Sequence, residues 1–430
     1  MIDRNETGLK MYALLAELFP FCRSLTGTGV QETLSVIEKD VPLQYTYVPS
    51  GTKCFDWEVP DEWHISSAFI RDTAGVKIVD FSENNLHLMG YSVPVCGWFT
   101  IKELTPHIFT LPNKPDTIPY LTSYYKKRWG FCMRHNDFLK MKDEKYYVEI
   151  NSTLKPGNLI LAEVYLPGET DKEILFSCYY CHPSMANDCL SGVVTTAQLY
   201  QEISREKRRY SYRFLFIPET IGAISYLNLN QSTIKERVHA GFVVTCCGDP
   251  GKFNYKKTRH GNHEIDRLSE NILKFSNHPY QIRNFWPGGS DERQYSSPGF
   301  NLPMGLLMRS VYTEYPQYHT SDDNLKFVTA QALGETLDLY YKIVLGMEGN
   351  RHYHSQNPFC EPQLSKRGLY PSLGVQKDHS DEIRNRMWVL NYSDGNHDLL
   401  SIAEKMNTSI LDLIQTAQIL EGAGLLKNEE

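Results

Sequence analysis

Hydrophobic and polar positions change their period several times along the chain. In "MYALLAELFPFCRSLTGTGVQETLSVIEK", Leu14, Leu15, Leu18 and Phe19 fall on one helical face. Pro20, Gly27 and Gly29 then interrupt the pattern, which predicts two helices with a glycine turn between them. "PLQYTYVPSG" alternates as a strand does and ends in a turn. From about residue 56 to 165 the texture becomes short aromatic strands cut by Pro and Gly, as in "MGYSVPVCGWFTI" and "GNLILAEVYLPG". No helical period runs through that stretch, which reads as an inserted all-β domain.

From residue 173 the chain alternates strand and helix: "EILFSCYY" then "CLSGVVTTAQLYQEISRE", "YRFLFIPE" then "IGAISYLNLN", "AGFVVTCC" then a loop and helix, and finally "LPMGLLMR". Near-continuous apolar strands alternating with helices predict an α/β fold, a mainly parallel sheet sandwiched by helices. Ligands of such sheets collect at the carboxyl ends of the strands. After the Pro-rich, polar "SQNPFCEPQLSKRGLYPSLG", two amphipathic helices joined by "MNTS" predict a winged-helix unit over 380–430. The division expected is 1–55 as the first part of the α/β domain, 56–165 as the insertion, 166–360 as the catalytic part and 380–430 as the C-terminal unit.

Length and charge narrow the partners. A chain of 430 residues exceeds one small core. The formal charge of -7 offers no basic footprint for nucleic acid or an anionic membrane. No apolar run is long enough to cross a bilayer, and the polar, acidic start does not read as a signal peptide. Ten scattered cysteines read as reduced thiols, so the expected compartment is the cytoplasm. The expected partner is a small-molecule substrate, and a homo-oligomer is compatible with the chain.

Four fragments carry the chemistry: "CHPSMANDCLSG", "FIPETIGAISYL", "GGSDERQYSSPGFNLPMG" and "YPQYHTSDDN". They place His182, Asp188, Glu219, Asp291 and His319 beside turn residues next to apolar runs. Any one of them alone is more simply a hydrogen-bonded structural residue; their order and shared strand-end position point to a site. Imidazole and carboxylate suit zinc, which in catalytic sites keeps three protein ligands and one open position. A further carboxylate close by would serve as general base.

The set resembles the zinc aminopeptidase and carboxypeptidase-like exopeptidase superfamily. "ANDCLSG" is similar to its metal-bridging Asp motif, "ETIGAISY" to its Glu base motif and "YHTSDD" to its final-His motif. "LFPFCRSLTGTGVQETL", "FDWEVPDEWHI" and "CHPSMANDCLSG" more closely resemble aminopeptidase-like proteins associated with bacterial surface-polysaccharide biosynthesis, which have an inserted β domain and a C-terminal winged helix. The resemblance implies zinc held by His182, Asp188 and His319, with Glu219 as the catalytic base. It also exposes two departures. Thr220 stands where a second Glu ligates metal, and Thr245 where another Asp does, with Asp249 four residues on as a candidate substitute. One zinc per chain fits the remaining ligands.

The expected reaction is hydrolysis of an amide bond in a small amino-acid or amino-sugar derivative. A true aminopeptidase acting on peptides, or a non-catalytic binding protein that keeps the pocket, are the alternatives. Asp291 is a candidate for substrate binding. Arg293 is suited to grip a substrate carboxylate or to sit in a surface salt bridge, and Tyr318 to donate to a developing oxyanion or to pack in the core. Cys178, Cys181, Cys246 and Cys247 could make a four-thiolate zinc site, but buried thiols in strands read more simply as packing.

The helix "SILDLIQTAQILEG" of the C-terminal unit contains no Lys or Arg. Asp398, Glu404, Asp412, Glu421, Glu429 and Glu430 outnumber Lys405 and Lys427 there, so the unit should repel phosphate. Duplex DNA is therefore expected to show no retardation by the chain in a gel-shift assay, even at low salt; salt-sensitive retardation would contradict this reading.

Overall fold

The structure is a computed structural model that describes residues 4–370 and 380–428; Glu429 and Glu430 of the acidic C-terminus lie outside them. The chain divides into two compact units, residues 1–260 with 283–338, and residues 261–282 with 339–430.

The first unit is organised by a mixed sheet. Its strands lie in the order Gln44–Pro49, Asn158–Leu166, Ser211–Ile217, Glu173–Tyr179, Val238–Val243, Met304–Met308 and Phe253–Lys256. Ser211–Ile217, Glu173–Tyr179, Val238–Val243 and Met304–Met308 are parallel to one another; Asn158–Leu166 and Phe253–Lys256 run antiparallel to them, and Gln44–Pro49, antiparallel to Asn158–Leu166, runs with them. Every residue of Glu173–Tyr179 is buried, as a central strand covered on both faces requires. The one charge it buries, Glu173, receives two hydrogen bonds of 2.7 and 3.0 Å from the Arg213 guanidinium on the neighbouring strand. Successive parallel strands lie on opposite sides of Glu173–Tyr179, Ser211–Ile217 on one and Val238–Val243 on the other. That reversal opens a crevice at their carboxyl ends, where ligands bind in such sheets.

Asn158–Leu166, the "NLILAEVYL" run grouped by texture with the β insertion, hydrogen-bonds into this large sheet between Gln44–Pro49 and Ser211–Ile217. Its short, half-alternating pattern suits either sheet, and only long-range pairing decides between them. A separate antiparallel sheet has the order Lys77–Asp80, Glu62–Arg71, Lys145–Lys155, Val95–Thr100. Beyond it, residues 117–124 return to the large sheet's loops. Ile118 accepts from the Ser321 N–H at 2.9 Å, and the Tyr120 N–H donates to His319 O at 2.9 Å.

The turn of helix Ala186–Ser191 runs into the helix Gly192–Ser204, interrupted at Asp188 by a non-helical φ of -108° and ψ of 88°. Gly192 lies against the end of the neighbouring strand, where a Cβ would meet Val244 O at 2.1 Å.

The second unit contains the helices Glu264–Lys274, Ser380–Tyr392, Leu399–Met406 and Ile410–Gly422 with a three-stranded sheet of Asp394–Asp398, His352–Ser355 and Leu426–Asn428. Asp398 caps one helix by accepting from the Ser401 N–H at 2.7 Å, Asn407 ends it in a left-handed conformation, and Ser409 caps the next. Leu399, Leu400, Ile402, Ala403, Leu413, Ala417 and Leu420 are buried, the same faces the helical period marks. This is a winged-helix arrangement. Among the described residues no helix is long and apolar enough to cross a membrane.

Because the atom that a side chain at 192 would strike is backbone, Gly192→Ala should cost about 1–3 kcal/mol and lower the thermal unfolding midpoint. An unchanged midpoint would show that the helix is not held this close to the strand.

Candidate metal centre

His182 follows the central strand by three residues and is 3% exposed. Its backbone carbonyl accepts two hydrogen bonds, of 3.1 and 3.0 Å, from the guanidinium of Arg23. Arg23 is itself buried and also donates to Leu18 O; burial pushes its pKa down, and carbonyl dipoles serve as its acceptors. The His182 ring lies 5.3 Å from Tyr120, 5.5 Å from Tyr179 and 5.3 Å from His319 between centroids. Burial pushes the imidazole pKa down to about 4, against the opposing pull of Asp188.

Asp188 is 1% exposed. One carboxylate oxygen accepts from the Tyr179 hydroxyl at 2.6 Å, and Thr245 Oγ1 donates to that hydroxyl at 2.9 Å. The other oxygen is 3.0 Å from His319 Nε2. Burial alone raises the pKa of this carboxyl, but His182, His319 and Tyr179 together outweigh it and hold the group below the usual carboxylate range. The backbone around it is fixed by Asp323, whose two oxygens accept from the N–H groups of Asn187 at 2.6 Å and Asp188 at 2.9 Å. Burial raises the Asp323 pKa to about 7, with these donors opposing.

His319 lies beyond the last parallel strand at a φ of +52°, a conformation rare outside glycine and common where a structure over-determines a functional residue. Tyr318 stacks on its ring at 3.9 Å. His182, Asp188 and His319 each offer a ligand atom, all within 4.8 Å of one another. Two imidazoles and one carboxylate at this spacing are a donor set that fits zinc. Among the described residues no other His, Cys, Asp and Glu cluster of this kind occurs.

Glu219 lies two residues past the strand Ser211–Ile217. Its carboxylate is 3.7 Å from His182 Nε2 and partly exposed. Burial, then the charges of Asp291 and Asp188, push its pKa well above the usual range. Thr220, at a φ of +65°, donates its N–H to Asp291 at 2.7 Å, and its hydroxyl accepts from Arg293 at 3.1 Å. Asp291 is buried with Oδ2 unpartnered, and the Arg293 Nε is likewise a buried unpartnered donor. Asp291 and Arg293 therefore frame Thr220 and the base side of the crevice, and Tyr318 frames the His319 side.

Asp249 does not reach the cluster. Its carboxylate accepts from Asn187 Nδ2 at 2.9 Å, from the Ser310 N–H and hydroxyl at 3.0 and 2.6 Å, and from the Gly251 N–H at 2.8 Å. It holds the turn after "VVTCCG". The four cysteines also disperse: Cys178 Sγ faces Leu215 O, Cys181 faces His182 Nδ1, Cys246 faces Tyr315 and Cys247 faces Thr245 O. Cys246 and Cys247 lie past the end of Val238–Val243, not on it.

Arg23, Tyr120, Tyr179 and Asp323 build the centre without having been singled out in the sequence. Tyr179 and Asp323 sit inside the quoted motifs, as neighbours of "CHP" and in "TSDDN". Arg23 and Tyr120 are remote in the chain, and no local pattern marks them.

A mixed α/β sheet carrying a His–Asp–His cluster beyond its parallel strands defines an aminopeptidase-like protein. The fold is shared with a zinc aminopeptidase from Bacillus subtilis, at a TM-score of 0.57 and 11% identity over 79% of this chain and 95% of that one. The aminopeptidase of Aneurinibacillus sp. strain AM-1 shares it at a TM-score of 0.52 and 14% identity, over 79% and 93%. The chain belongs to the family described as Domain of unknown function (DUF4910), matched over residues 12–350, and carries a winged helix-turn-helix matched over residues 351–428. A Clostridium acetobutylicum protein, provisionally named for polysaccharide biosynthesis and for an aminopeptidase-like domain, is 47% identical over 99% of this chain and 98% of its own length. A crystal structure from the same organism, described provisionally as a peptidase, superposes at a TM-score of 0.94 with 46% identity, over 99% of this chain and 98% of that one.

Asp323→Ala would leave two buried N–H groups without an acceptor, at about 1–3 kcal/mol each, and would release the backbone that aims Asp188. The variant should unfold at lower temperature and yield zinc to a chelator at about 10–100-fold lower concentration. Zinc retention equal to that of the parent chain would remove Asp323 from this role.

Proposed function

We propose that this protein is a zinc-dependent amide hydrolase, with one metal per chain, acting on a small amino-acid or amino-sugar derivative in the cytoplasm. The observation that carries the reading is the meeting of three ligand atoms within 4.8 Å, with the carboxylate of Glu219 3.7 Å from one of them. His182, Asp188 and His319 would hold the zinc. When bound there, zinc supplies Lewis-acid chemistry, acidifying water and polarising a carbonyl.

The chain's own residues supply the rest. Glu219 takes a proton from the attacking water and returns it to the departing nitrogen, so that water and amide become acid and amine. The Tyr318 hydroxyl, whose pKa is pushed up by burial and then by Asp188 and Glu219, stays protonated and is able to donate to the carbonyl oxygen. Arg293, which donates to the Thr220 hydroxyl, and Asp291, which accepts from the Thr220 N–H, would shape the base side of the crevice that receives a small polar substrate.

Thr220 and Thr245 support a single metal. Each hydroxyl is already engaged, one by Arg293 and the other with Tyr179, and Asp249 is held elsewhere. The name of the Clostridium acetobutylicum relative supports an amino-sugar derivative, and ten free cysteines support a reducing compartment.

Elemental analysis of the purified chain should give about one zinc per molecule. Glu219→Gln keeps the shape and removes the base, so it should cut turnover about 10²- to 10⁴-fold at unchanged zinc content. His182→Ala removes one of three ligands and should lose the zinc itself. Equal metal loss in both variants would make Glu219 a ligand and overturn the mechanism; a chain that binds no zinc would overturn the hydrolase reading.

A further inference from the structure

Apart from the metal centre, the first unit holds a cavity of about 410 Å³. It is walled by residues flanking the short hairpin of Lys53–Cys54 and Trp57–Glu58 and by residues 124–127. Tyr91 forms a buried aromatic floor, its ring stacked 5.7 Å from Trp63 and edge-on at 5.4 Å to Tyr124, with its hydroxyl 2.7 Å from Thr26 Oγ1. At the mouth, Tyr125 is 51% exposed, and Trp57, outside the lining, packs edge-to-face on it at 5.7 Å. The Tyr125 hydroxyl donates to Glu58 O at 3.2 Å, which fixes the ring at the rim. Glu58, Asp61, Lys126 and Lys127 line the same mouth.

This lining selects a chemical class. An apolar peptide segment needs a continuous apolar wall, and a nucleic acid needs cations in excess of anions. Here two carboxylates balance two ammonium groups around fixed aromatic faces. A pyranose ring has the complementary surface: C–H faces that lie against aromatic rings, and a rim of hydroxyls that donate to carboxylates and accept from ammonium groups. The volume is of small-ligand size. We propose that this cavity is a saccharide-binding site that seats a pyranose residue against Tyr125, with its hydroxyls reaching Glu58, Asp61 and Lys126.

The site is separated from the metal centre by one pair of side chains. The Tyr124 hydroxyl is 3.2 Å from that of Tyr120, and the Tyr120 ring lies 5.3 and 5.1 Å from those of His182 and His319. A sugar in the cavity is therefore neighbour to the centre without touching its ligands, and its binding does not depend on metal or on hydrolysis.

Saturation-transfer NMR on the full chain, with methyl N-acetyl-β-glucosaminide and methyl β-glucuronide as probes at millimolar concentration, tests this. Transfer to the ring protons of at least one glycoside is expected. Tyr125→Ala, at an exposed position, should weaken binding about three- to tenfold, the scale of one aromatic contact, and Trp57→Ala, which removes only the ring packed on Tyr125, should weaken it less. Lys126→Ala should weaken the glucuronide more than the neutral glycoside if the sugar carries an acid, and both alike if the ammonium serves hydroxyls; either result supports the site. The chain treated with a chelator should bind as the untreated chain does. No transfer to either glycoside, transfer undiminished in the Tyr125→Ala, Lys126→Ala double variant, or loss of binding on chelation would each overturn the proposal, and none of these outcomes depends on whether the chain hydrolyses an amide.

Discussion

A carboxylate with almost no access to water governs this structure. Asp188 is 1% exposed, and an ionised carboxyl in an apolar interior without compensation costs more than a domain's whole stability margin. Two histidine rings and the Tyr179 hydroxyl make the charge tolerable, and each of those partners has to be aimed. Tyr179 is aimed by the central strand, His182 by the hydrogen bonds from Arg23 to its carbonyl, and His319 by a backbone turn tied to Tyr120. Asp188 itself breaks helical geometry, and Asp323 takes up the two N–H groups which that break leaves in the interior. Removing any of these supports exposes the same problem, a buried anion without its partners.

Four of the eleven non-glycine residues with positive φ among the described residues surround the same place. Ser184, Thr220, Cys246 and His319 all have positive φ, each a conformation costing about 1–3 kcal/mol for a residue with a side chain. Each sits in a loop at the carboxyl side of a parallel strand. The sheet's buried strands, with Glu173 and Arg213 paired between them, are the rigid frame that holds such loops in place. The β segment contributes too: Ile118, Tyr120 and Met185 share one small apolar core, so the loop carrying Asp188 is packed from a part of the chain far away in sequence.

The two threonines change the electrostatics of the crevice. Thr220 and Thr245 present neutral hydroxyls to it, and both are used internally. Thr245 completes the relay through Tyr179 to Asp188, and Thr220 receives Arg293. On the base side, burial and then the Asp291 and Asp188 charges raise the proton affinity of Glu219, while burial raises that of Asp291 against the hydrogen bond from the Thr220 N–H.

Local pattern was enough to determine much of this. Uninterrupted apolar runs alternating with helical periods specify a parallel sheet, because a strand covered on both faces has no polar side to show. The turn-flanked His182, Asp188, Glu219 and His319 are legible because strand ends are where such sheets leave room for ligands, and "MNTS" is legible because helix caps have their own chemistry. Tertiary structure alone decided which sheet Asn158–Leu166 joins, since its register is set by partners more than a hundred residues away at Gln44–Pro49 and nearby in space at Ser211–Ile217. It alone brought Arg23 and Tyr120 to the centre, sent Asp249 to a structural turn and dispersed the four cysteines. Those outcomes depend on distances between side chains that no sequence period encodes: a buried polar group is satisfied by whatever donor the packed fold delivers within 3 Å, however far away it lies in the chain.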